Sequence, residues 1–389
     1  MKFLIALLIT SKFISCHSYS TSPKLNNPLS IPIPSAAKAS VTSDNKIGSP
    51  NIFNRRDAIF STTMTTVSSL ILLQPSSSHA ATGEDSAVSA SSSINSSDSD
   101  PLSKNYVLLK NSKSCSSTPS SSKPFPLASF GLQIYDNEKA YTLTLTALKA
   151  GYRNFFASVL AGNQKGFARA IRDSNIPLSE LYICGTVLSN RAQGYKAAYA
   201  KTLKGCEENL AVMSQYGNIN KLDMIMLDYP ANEDESIKGQ WDAFQDFQKG
   251  GSVTDLAVSN FNGQQLDSIL MNNANLCSMP AVNQLPLSIA NHPRRFTEEN
   301  NSRGIHVQSW SPLSTTLPKY KGILTKIGEK YNKNAAQVGL RWIVQSGASY
   351  CVQSQSESHF KDDLDVFDFN LSTGDMEKLS ILEPPSLLG

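Results

Sequence analysis

Short apolar runs alternate with helix-like patterns from residue 105 onward, and this alternation limits the fold more than any other feature of the chain. Repeated β-α units predict a parallel sheet with its helices on the outside. Eight such units close into a (β/α)₈ barrel of the TIM type, an α/β fold whose reactive side chains lie at the carboxyl ends of the strands. The predicted strands are residues 127–132, 152–158, 180–185, 222–227, 254–258, 281–284, 305–309 and 350–352.

A hairpin is predicted before the barrel. Residues 106–109 and 125–127 are apolar, and the segment between them is rich in Ser and contains Pro. The sequence therefore predicts one domain over residues 105–389, which opens with this hairpin. The clearest helical patterns cover residues 137–149, 164–172, 196–215, 237–248, 335–345 and 375–382.

Residues 1–104 have a different composition, rich in Ser, Thr, Asn and Pro and poor in large apolar side chains. Such a segment cannot bury enough surface to offset its ordering entropy, so we expect a disordered targeting region. Residues 1–20 have the charged start and short apolar core of a signal peptide, and residues 21–54 have the acid-poor bias of a transit peptide. Residues 55–80 combine twin arginines with a mildly apolar run and a small-x-Ala cleavage site, and residues 81–104 form a Ser-rich linker.

In that order the three patterns predict delivery to the thylakoid lumen of an algal plastid. The alternative is one secretory signal followed by a disordered stretch, and hence a secreted protein. Of the 35 basic and 32 acidic residues, 7 and 2 precede residue 81, so the processed chain has 28 and 30 and a net charge of −2. This balance gives no support to nucleic-acid binding. No later run of 18 apolar residues occurs, so we expect no stable membrane span after processing.

Five cysteines remain once Cys16 is removed with the signal. No pair has the C-x-x-C spacing of a metal site, so no metal is predicted. Cys184 and Cys351 fall in predicted strands, where a buried structural thiol is the favoured interpretation. A disulfide is compatible with an oxidising lumen, but the sequence does not identify the partners. The five are Cys115, Cys184, Cys206, Cys277 and Cys351.

Several short motifs follow one another in a familiar order. The run from Gly151 to Asn163 is similar to G-Y-R-x-I-D-T-A-x-x-Y-G-N of the aldo-keto reductases. Over about residues 125–383 the chain therefore resembles this family of NAD(P)H-dependent oxidoreductases, which implies a TIM barrel. The further motifs are Val258-Ser259-Asn260-Phe261, Val282-Asn283-Gln284, Trp310-Ser311-Pro312-Leu313 and the run from Gln337 to Trp342.

The resemblance implies four catalytic positions. In the family a Tyr donates a proton to the substrate oxygen, a Lys lowers the pKa of that Tyr, an Asp holds the Lys, and a His orients the carbonyl. Here those positions are Ala161, Thr186, Phe156 and Asp228. Only Asp228 is ionisable, and as an anion it would repel charge growing on a carbonyl oxygen. We therefore expect a catalytically degenerate barrel, with reduction of a small carbonyl through a protonated Asp228 as the alternative.

The resemblance also implies cofactor contacts at the carboxyl ends of the later strands. Ser259, Asn260 and Gln284 match residues that hydrogen-bond the nicotinamide carboxamide in the family. Trp310 matches the aromatic residue on which the nicotinamide ring stacks. Structural support of the strand ends is the alternative role for each. The candidate cofactor-binding residues are Ser259, Asn260, Gln284, Trp310, Ser311, Leu313 and Ser354.

The positions for the cofactor's 2′-phosphate hold Gln353 and His359, where the family has Lys and Arg. A phosphate needs fixed positive charge and forked donors, so we expect no cofactor or only weak NAD(P)(H) binding. Asp362 and Asp363 would add repulsion if they lay nearby.

The former substrate cleft is expected to be apolar, because Phe156, Val159, Leu160 and Trp310 would line it. Such a cleft predicts a small apolar ligand or a protein partner. Thiol chemistry at Cys184 is a third and weaker hypothesis, since its neighbours Tyr182 and Ile183 favour an inert core thiol.

Overall fold

The computed structural model describes residues 105–111, 123–270 and 276–383, and all of these belong to one compact unit. Eight parallel strands close into a barrel in chain order, with the last pairing with the first, as the sequence predicts. The targeting segments and linker predicted for residues 1–104 lie outside the described residues. The barrel strands are β3 (Ala128–Gly131), β4 (Asn154–Phe156), β5 (Tyr182–Val187), β6 (Leu222–Asp228), β7 (Val253–Ser259), β8 (Val282–Leu285), β9 (His306–Trp310) and β10 (Ser349–Val352).

The predicted hairpin is present before the barrel. Strand β1 (Tyr106–Val107) pairs antiparallel with β2 (Phe125–Pro126). The described α-helices are α1 (Asn137–Ala150), α2 (Gln164–Asp173), α3 (Tyr195–Gly217), α4 (Asp234–Lys249), α5 (Gly263–Leu270), α6 (Arg294–Ser302), α7 (Thr316–Gly328), α8 (Ala335–Gln345), α9 (Glu357–Leu364) and α10 (Thr373–Ser380).

Local signals fix several helix ends. The Asp136 carboxylate accepts a hydrogen bond from the Lys139 backbone N–H and starts α1. Gly151 ends that helix with φ 115°, a left-handed conformation that costs a glycine little. Asn334 and Gln337 form a reciprocal capping box at α8.

Two differences from the predicted elements have physical causes. Strand β5 begins at Tyr182 rather than residue 180, because Leu178–Glu180 form a 3-10 turn after Pro177. Helix α6 buries only Asn300, so it has almost no apolar stripe from which a helix could be predicted.

Two apolar clusters hold the barrel together. The larger one lies between the strands and the surrounding helices. The smaller one fills the barrel interior, where alternate side chains of each strand point inward. Its buried members are Leu109, Phe125, Phe156, Tyr182, Cys184, Met224, Met226, Ala257, Ala281, Val282 and Cys351.

The amino-terminal end of the barrel, called the floor below, is closed by the hairpin and by buried polar pairs. The Phe125 ring meets the rings of Tyr182 and His306 edge-on, at centroid distances of 5.1 and 6.0 Å. The Tyr182 hydroxyl donates to the Asp255 carboxylate at 2.6 Å. Burial lowers the pKa of His306 to about 4, so this ring is neutral at physiological pH.

Lys123 completes the floor. Its ammonium lies 2.8 Å from the Asp223 carboxylate and donates to the carbonyls of Leu178 and Leu181, both at 2.9 Å. Burial raises the pKa of Asp223 although Lys123 opposes the shift. A cavity of about 420 Å³ opens between these side chains.

The described cysteines fall into two groups. Cys277 is disulfide-bonded, whereas Cys184, Cys206 and Cys351 are free and buried. Within the described ranges, no helix is long and apolar enough to cross a membrane. The same residues include no group of three or more His, Cys, Asp or Glu arranged to hold a metal ion.

Candidate functional site

Phe156, which the resemblance assigns to the position of the family Asp, lies at the carboxyl end of β4. The side chain is fully buried and packs with Cys184 and Met226 in the barrel interior. The prediction that Phe156 lines the wall of an open cleft is therefore wrong, because this residue has no exposed surface. It fills the space beneath the cleft instead.

The loop after β4 carries Ala161, which the resemblance assigns to the position of the family Tyr. Val159 and Leu160 on this loop are 36% and 57% exposed, so both form apolar surface at the mouth of the barrel. The Ala161 backbone N–H donates to the Ser158 hydroxyl at 3.3 Å. The buried Asn163 amide accepts from the Ser158 N–H at 3.0 Å and donates to the Tyr135 carbonyl at 2.8 Å. The loop thus keeps an ordered shape without an ionisable side chain at residue 161.

Thr186, which the resemblance assigns to the position of the family Lys, holds two parts of the backbone together. Its hydroxyl donates to the Ala157 carbonyl at 3.2 Å and accepts from the Val159 N–H at 3.1 Å. Its own carbonyl accepts from the Asn209 side chain at 2.6 Å. This hydroxyl therefore joins β5 to the loop after β4, a role that its position in the sequence did not reveal.

Asp228 ends β6 and is only 9% exposed. It lies directly opposite Ser259 in the sheet register, so the predicted acid and one predicted cofactor contact are neighbours. The residues immediately after β6, β7 and β9 all have left-handed backbones: Tyr229 at φ 68°, Asn260 at 64° and Ser311 at 50°. This conformation is uncommon for residues other than glycine, and its clustering at strand ends marks the mouth as the candidate site.

The residues expected to bind the nicotinamide are brought together, and several bond to one another. The Trp310 indole N–H donates to the Asn260 side-chain oxygen at 3.0 Å, and the Asn260 amide donates to the Ser259 hydroxyl at 2.9 Å. The Gln284 amide donates to Gln308 at 2.7 Å, which in turn donates to Ser129 at 3.0 Å. Gln308 and Ser129 were not predicted, although both lie on inward-facing positions of their strands.

The adjoining candidates have structural contacts. Ser311 is partly buried, and its carbonyl accepts from the Ser314 N–H at 3.2 Å and from the Ser314 hydroxyl at 2.9 Å. Leu313 is partly buried and packs against Gly339 of α8 so closely that a Cβ there would lie 3.0 Å from Cδ2 of Leu313.

The predicted phosphate end of the cofactor site lies between β10 and α9. The Gln353 amide donates to Gln133 at 2.8 Å, and the Ser354 hydroxyl lies 3.3 Å from Nδ1 of His359. The backbone N–H of Ser356 also donates to the Ser354 hydroxyl, at 3.2 Å. The side chains in these contacts are amides, hydroxyls and one imidazole, and none of them is the Lys or Arg that supplies fixed positive charge to a 2′-phosphate.

The two aspartates in α9 differ from each other. Asp362 accepts a hydrogen bond from the Asn334 amide at 3.0 Å. Asp363 is buried, and burial together with the charge of Asp362 raises its pKa to about 7, although the neighbouring Tyr152 hydroxyl opposes the shift. Asp363 is thus partly protonated near neutral pH, and its negative charge is smaller than the sequence suggests.

Cys184 does not support the hypothesis of thiol chemistry. Burial raises the pKa of its thiol well above the ordinary value, and its Sγ lies 3.7 Å from the Asn154 side-chain oxygen. A reactive cysteine needs a lowered pKa and access to solvent, and Cys184 has neither.

A closed barrel with polar side chains gathered at its carboxyl ends defines a TIM-barrel protein of the kind that usually binds small molecules there. A model of the aldo/keto reductase family matches residues 127–383. The chain belongs to the aldo/keto reductase family.

Individual relatives agree with this assignment. Glyoxal reductase of Bacillus subtilis (strain 168) is 31% identical over 267 residues, which cover 67% of this chain and 90% of that protein. D-galacturonate reductase of Fragaria ananassa is 28% identical over 288 residues, covering 66% and 86%. The solved structure of an aldo/keto reductase from Brucella melitensis has a TM-score of 0.61 and 26% identity, covering 67% of this chain and 96% of that one.

Proposed function

We propose that this chain is a catalytically inactive aldo-keto-reductase-like barrel that binds a small apolar ligand or a protein partner. The observation that carries the proposal is the set of groups at the four family positions. Ala161 has no proton to give, Phe156 is buried, and the Thr186 hydroxyl donates to a backbone carbonyl. None of the three offers a cation, so a developing alkoxide would lack both a proton and charge stabilisation.

The cofactor contacts support weak NAD(P)(H) binding at most. Asn260 and Trp310 bond to each other, and the Gln284 amide donates to Gln308. A nicotinamide carboxamide would have to replace such bonds rather than satisfy open groups, which reduces the net gain on binding. At the other end, Gln353 donates to Gln133 and supplies no charge for a phosphate.

Apolar surface at the mouth supports a binding role. Val159 and Leu160 are exposed, and Ile134, on the connection after β3, is 64% exposed. Together with the partly buried Trp310 they offer contacts that suit a hydrophobic ligand or an inserted side chain. The targeting patterns of residues 1–80 place this role, in our proposal, in the thylakoid lumen of an algal plastid, with secretion as the alternative address.

A second candidate is an NAD(P)(H)-dependent oxidoreductase that reduces a small carbonyl. Asp228 favours it, because this carboxyl is almost buried at the mouth beside Ser259. A carboxylic acid held in its neutral form can donate a hydrogen bond to a carbonyl oxygen. The relatives named as glyoxal and D-galacturonate reductases suggest small aldehydes as substrates to test.

Cofactor titration separates the two functions. The processed chain, from residue 81, is titrated with NADPH and NADH while tryptophan fluorescence is followed, with Trp310→Phe as the control that assigns any quenching to the mouth. We expect no saturable quenching up to millimolar cofactor and no oxidation of NADPH or NADH with glyoxal. Saturation in the wild type, together with turnover that disappears in Asp228→Asn, would establish the oxidoreductase instead.

A further inference from the structure

One histidine links the mouth of the barrel to the end of the last described helix. His292 lies in the loop between β8 and α6, which starts at the carboxyl end of β8. Its Nδ1 lies 3.2 Å from the Ser288 carbonyl oxygen of the same loop, and its Nε2 lies 2.9 Å from the Ser380 carbonyl oxygen at the end of α10. The ring also meets the Trp342 indole of α8 edge-on, at a centroid distance of 5.1 Å. Contacts with three elements therefore hold this imidazole in one orientation.

The two hydrogen-bond partners of His292 are carbonyl oxygens, which can only accept. A neutral imidazole has one N–H and one lone pair, so it can donate to one of the two carbonyls and must point its lone pair at the other. A protonated imidazolium carries an N–H on both nitrogens and donates to Ser288 and Ser380 at the same time. The complete set of contacts therefore exists in one protonation state only, because neither tautomer of the neutral ring provides it.

The other histidines of the described residues do not need a proton for their contacts. Nε2 of His306 lies 3.0 Å from the Ser349 hydroxyl, and Nδ1 of His359 lies 3.3 Å from the Ser354 hydroxyl. A hydroxyl donates or accepts as its partner requires, so a neutral ring can make either contact. Among these histidines, His292 is thus the one whose partners distinguish the two protonation states.

The surroundings of His292 suit a positive charge. Ser380 is the last residue of α10, so its carbonyl has no partner within the helix and lies at the negative end of the helix dipole. Among the described residues, no carboxylate forms an ion pair with the ring, so the two carbonyls are the groups that the proton serves. The charged side chains on the neighbouring elements are Arg294 and Arg295 at the start of α6, Arg341 in α8, Glu377 and Lys378 in the last turn of α10, and Glu383, which pairs with Lys319.

The contact to Ser380 lies at the point where the chain leaves α10. Residues 381–383 follow this helix and are called the strap below, and Ile381 at its start is 72% exposed. The loop that carries His292 is fixed to the barrel, because the Ser309 hydroxyl of β9 donates to the Leu287 carbonyl at 2.5 Å. A weaker contact at His292 therefore loosens the exposed start of the strap before it loosens the barrel.

We propose that His292 is a pH-dependent latch between the mouth of the barrel and the end of α10. With the ring protonated, both carbonyls receive a hydrogen bond and the latch is closed. With the ring neutral, one of the two contacts is lost and the strap separates more readily from the loop. The latch is therefore closed in acid and weakens as the pH rises through the range in which an imidazole titrates. It is a property of the fold and does not depend on the ligand or partner proposed above.

Hydrogen exchange of the full chain tests the latch at about pH 5.5 and about pH 8, with rates corrected for intrinsic chemical exchange. The Ile381 and Leu382 amides report on the strap, because each donates to a carbonyl in the last turns of α10. The Met376 amide, at the start of the same helix, is the internal reference. Relative to this reference, we expect the two strap amides to exchange about fivefold faster at the higher pH, as for loss of one hydrogen bond.

Three variants assign the effect. In His292→Gln, an amide nitrogen can donate to the Ser380 carbonyl at every pH, so the difference between the two pH values should vanish. His359→Gln removes another titrating ring and should keep the difference. Asp363→Asn should also keep it, because this carboxyl, whose pKa is raised to about 7, is not part of the latch.

Equal exchange at the two pH values in the wild type would overturn the proposal, as would a difference that persists in His292→Gln. If that variant does not fold, nitrogen-15 spectra of the wild-type ring replace it, with the ring assigned through its contact to Trp342. We expect two ring N–H protons protected from solvent at the acidic pH and one at the alkaline pH. A ring with one nitrogen open to solvent at the acidic pH would exclude the double contact.

Discussion

The two ends of the barrel treat ionisable side chains differently. At the floor, Lys123 pairs with Asp223 at 2.8 Å and Tyr182 donates to the buried Asp255 at 2.6 Å. At the mouth, Thr186 and Ala161 stand at the positions to which the sequence resemblance assigns the family Lys and Tyr. In TIM barrels the floor serves stability and the mouth serves chemistry.

This contrast agrees with our proposal that the fold is maintained although the reaction is not. Loss of one partner from a buried polar pair is costly, so the pairs at the floor contribute to keeping the barrel closed. A mouth without these reacting groups can keep its shape through neutral hydrogen bonds, as those of Thr186 and Asn163 show. The following changes test the contrast.

Asp363→Asn, near the cofactor end of the mouth, should have the largest effect. The pKa of Asp363 is about 7 in the folded protein and about 3.9 in an unfolded chain. The unfolded state therefore releases its proton first, and wild-type stability falls as pH rises from about 4 to about 7. Asp363→Asn should therefore raise the free energy of unfolding by about 4 kcal/mol at pH 8, where the carboxyl is charged, and leave it unchanged at pH 3. Urea unfolding at both pH values measures this, and equal gains at the two would contradict the buried-carboxyl explanation.

Reduction of the Cys277 disulfide should destabilise the floor side by about 3 kcal/mol. Cys184, Cys206 and Cys351 are free. Cys16 would leave with the signal peptide, so we expect Cys115, outside the described residues, to be the partner. Asn111, four residues earlier, donates to the Pro280 carbonyl at 3.1 Å, which brings the chain close to Cys277.

Peptide mapping without reductant identifies the partner, and thermal unfolding with and without dithiothreitol measures the effect. Cys206→Ser serves as the control for loss of an unpaired buried thiol. A Cys277 peptide linked to any other cysteine would disprove the expected pairing.

Tyr182→Phe should cost about 2 kcal/mol, because it removes a donor from the buried Asp255 carboxylate while it keeps the ring that packs on Phe125. Chemical denaturation of the variant measures the loss. A change below about 0.5 kcal/mol would mean that the floor pair does not stabilise the barrel.

Thr186→Val should cost less, about 1 kcal/mol, since one of the two bonds lost from its hydroxyl comes from the N–H of the exposed Val159, where water can replace it. Hydrogen exchange should speed up at the Val159 amide and remain unchanged at the floor. A larger loss of stability than in Tyr182→Phe would reverse the comparison between the two ends.

The sequence was sufficient to predict the barrel fold, because each strand carries its own apolar run and the family motifs fall at strand ends. It was not sufficient to predict the burial of Phe156. The spacing of Asn154 and Phe156 shows that both side chains point into the barrel, but it does not show whether other residues cover Phe156. Cofactor contacts such as Gln284 were found by their motif, whereas the bond to Gln308 depends on two strands meeting in register. Helix α6 was missed because its surface is polar almost all round.

The Thr186 hydroxyl has a consequence for the engineering of this chain. A lysine placed at position 186 would break the two hydrogen bonds by which the Thr186 hydroxyl joins β5 to the loop after β4. A variant that carries only this lysine should therefore lose stability at the mouth, and a design that adds both a lysine and a tyrosine would need new partners for the Ala157 carbonyl and the Val159 N–H.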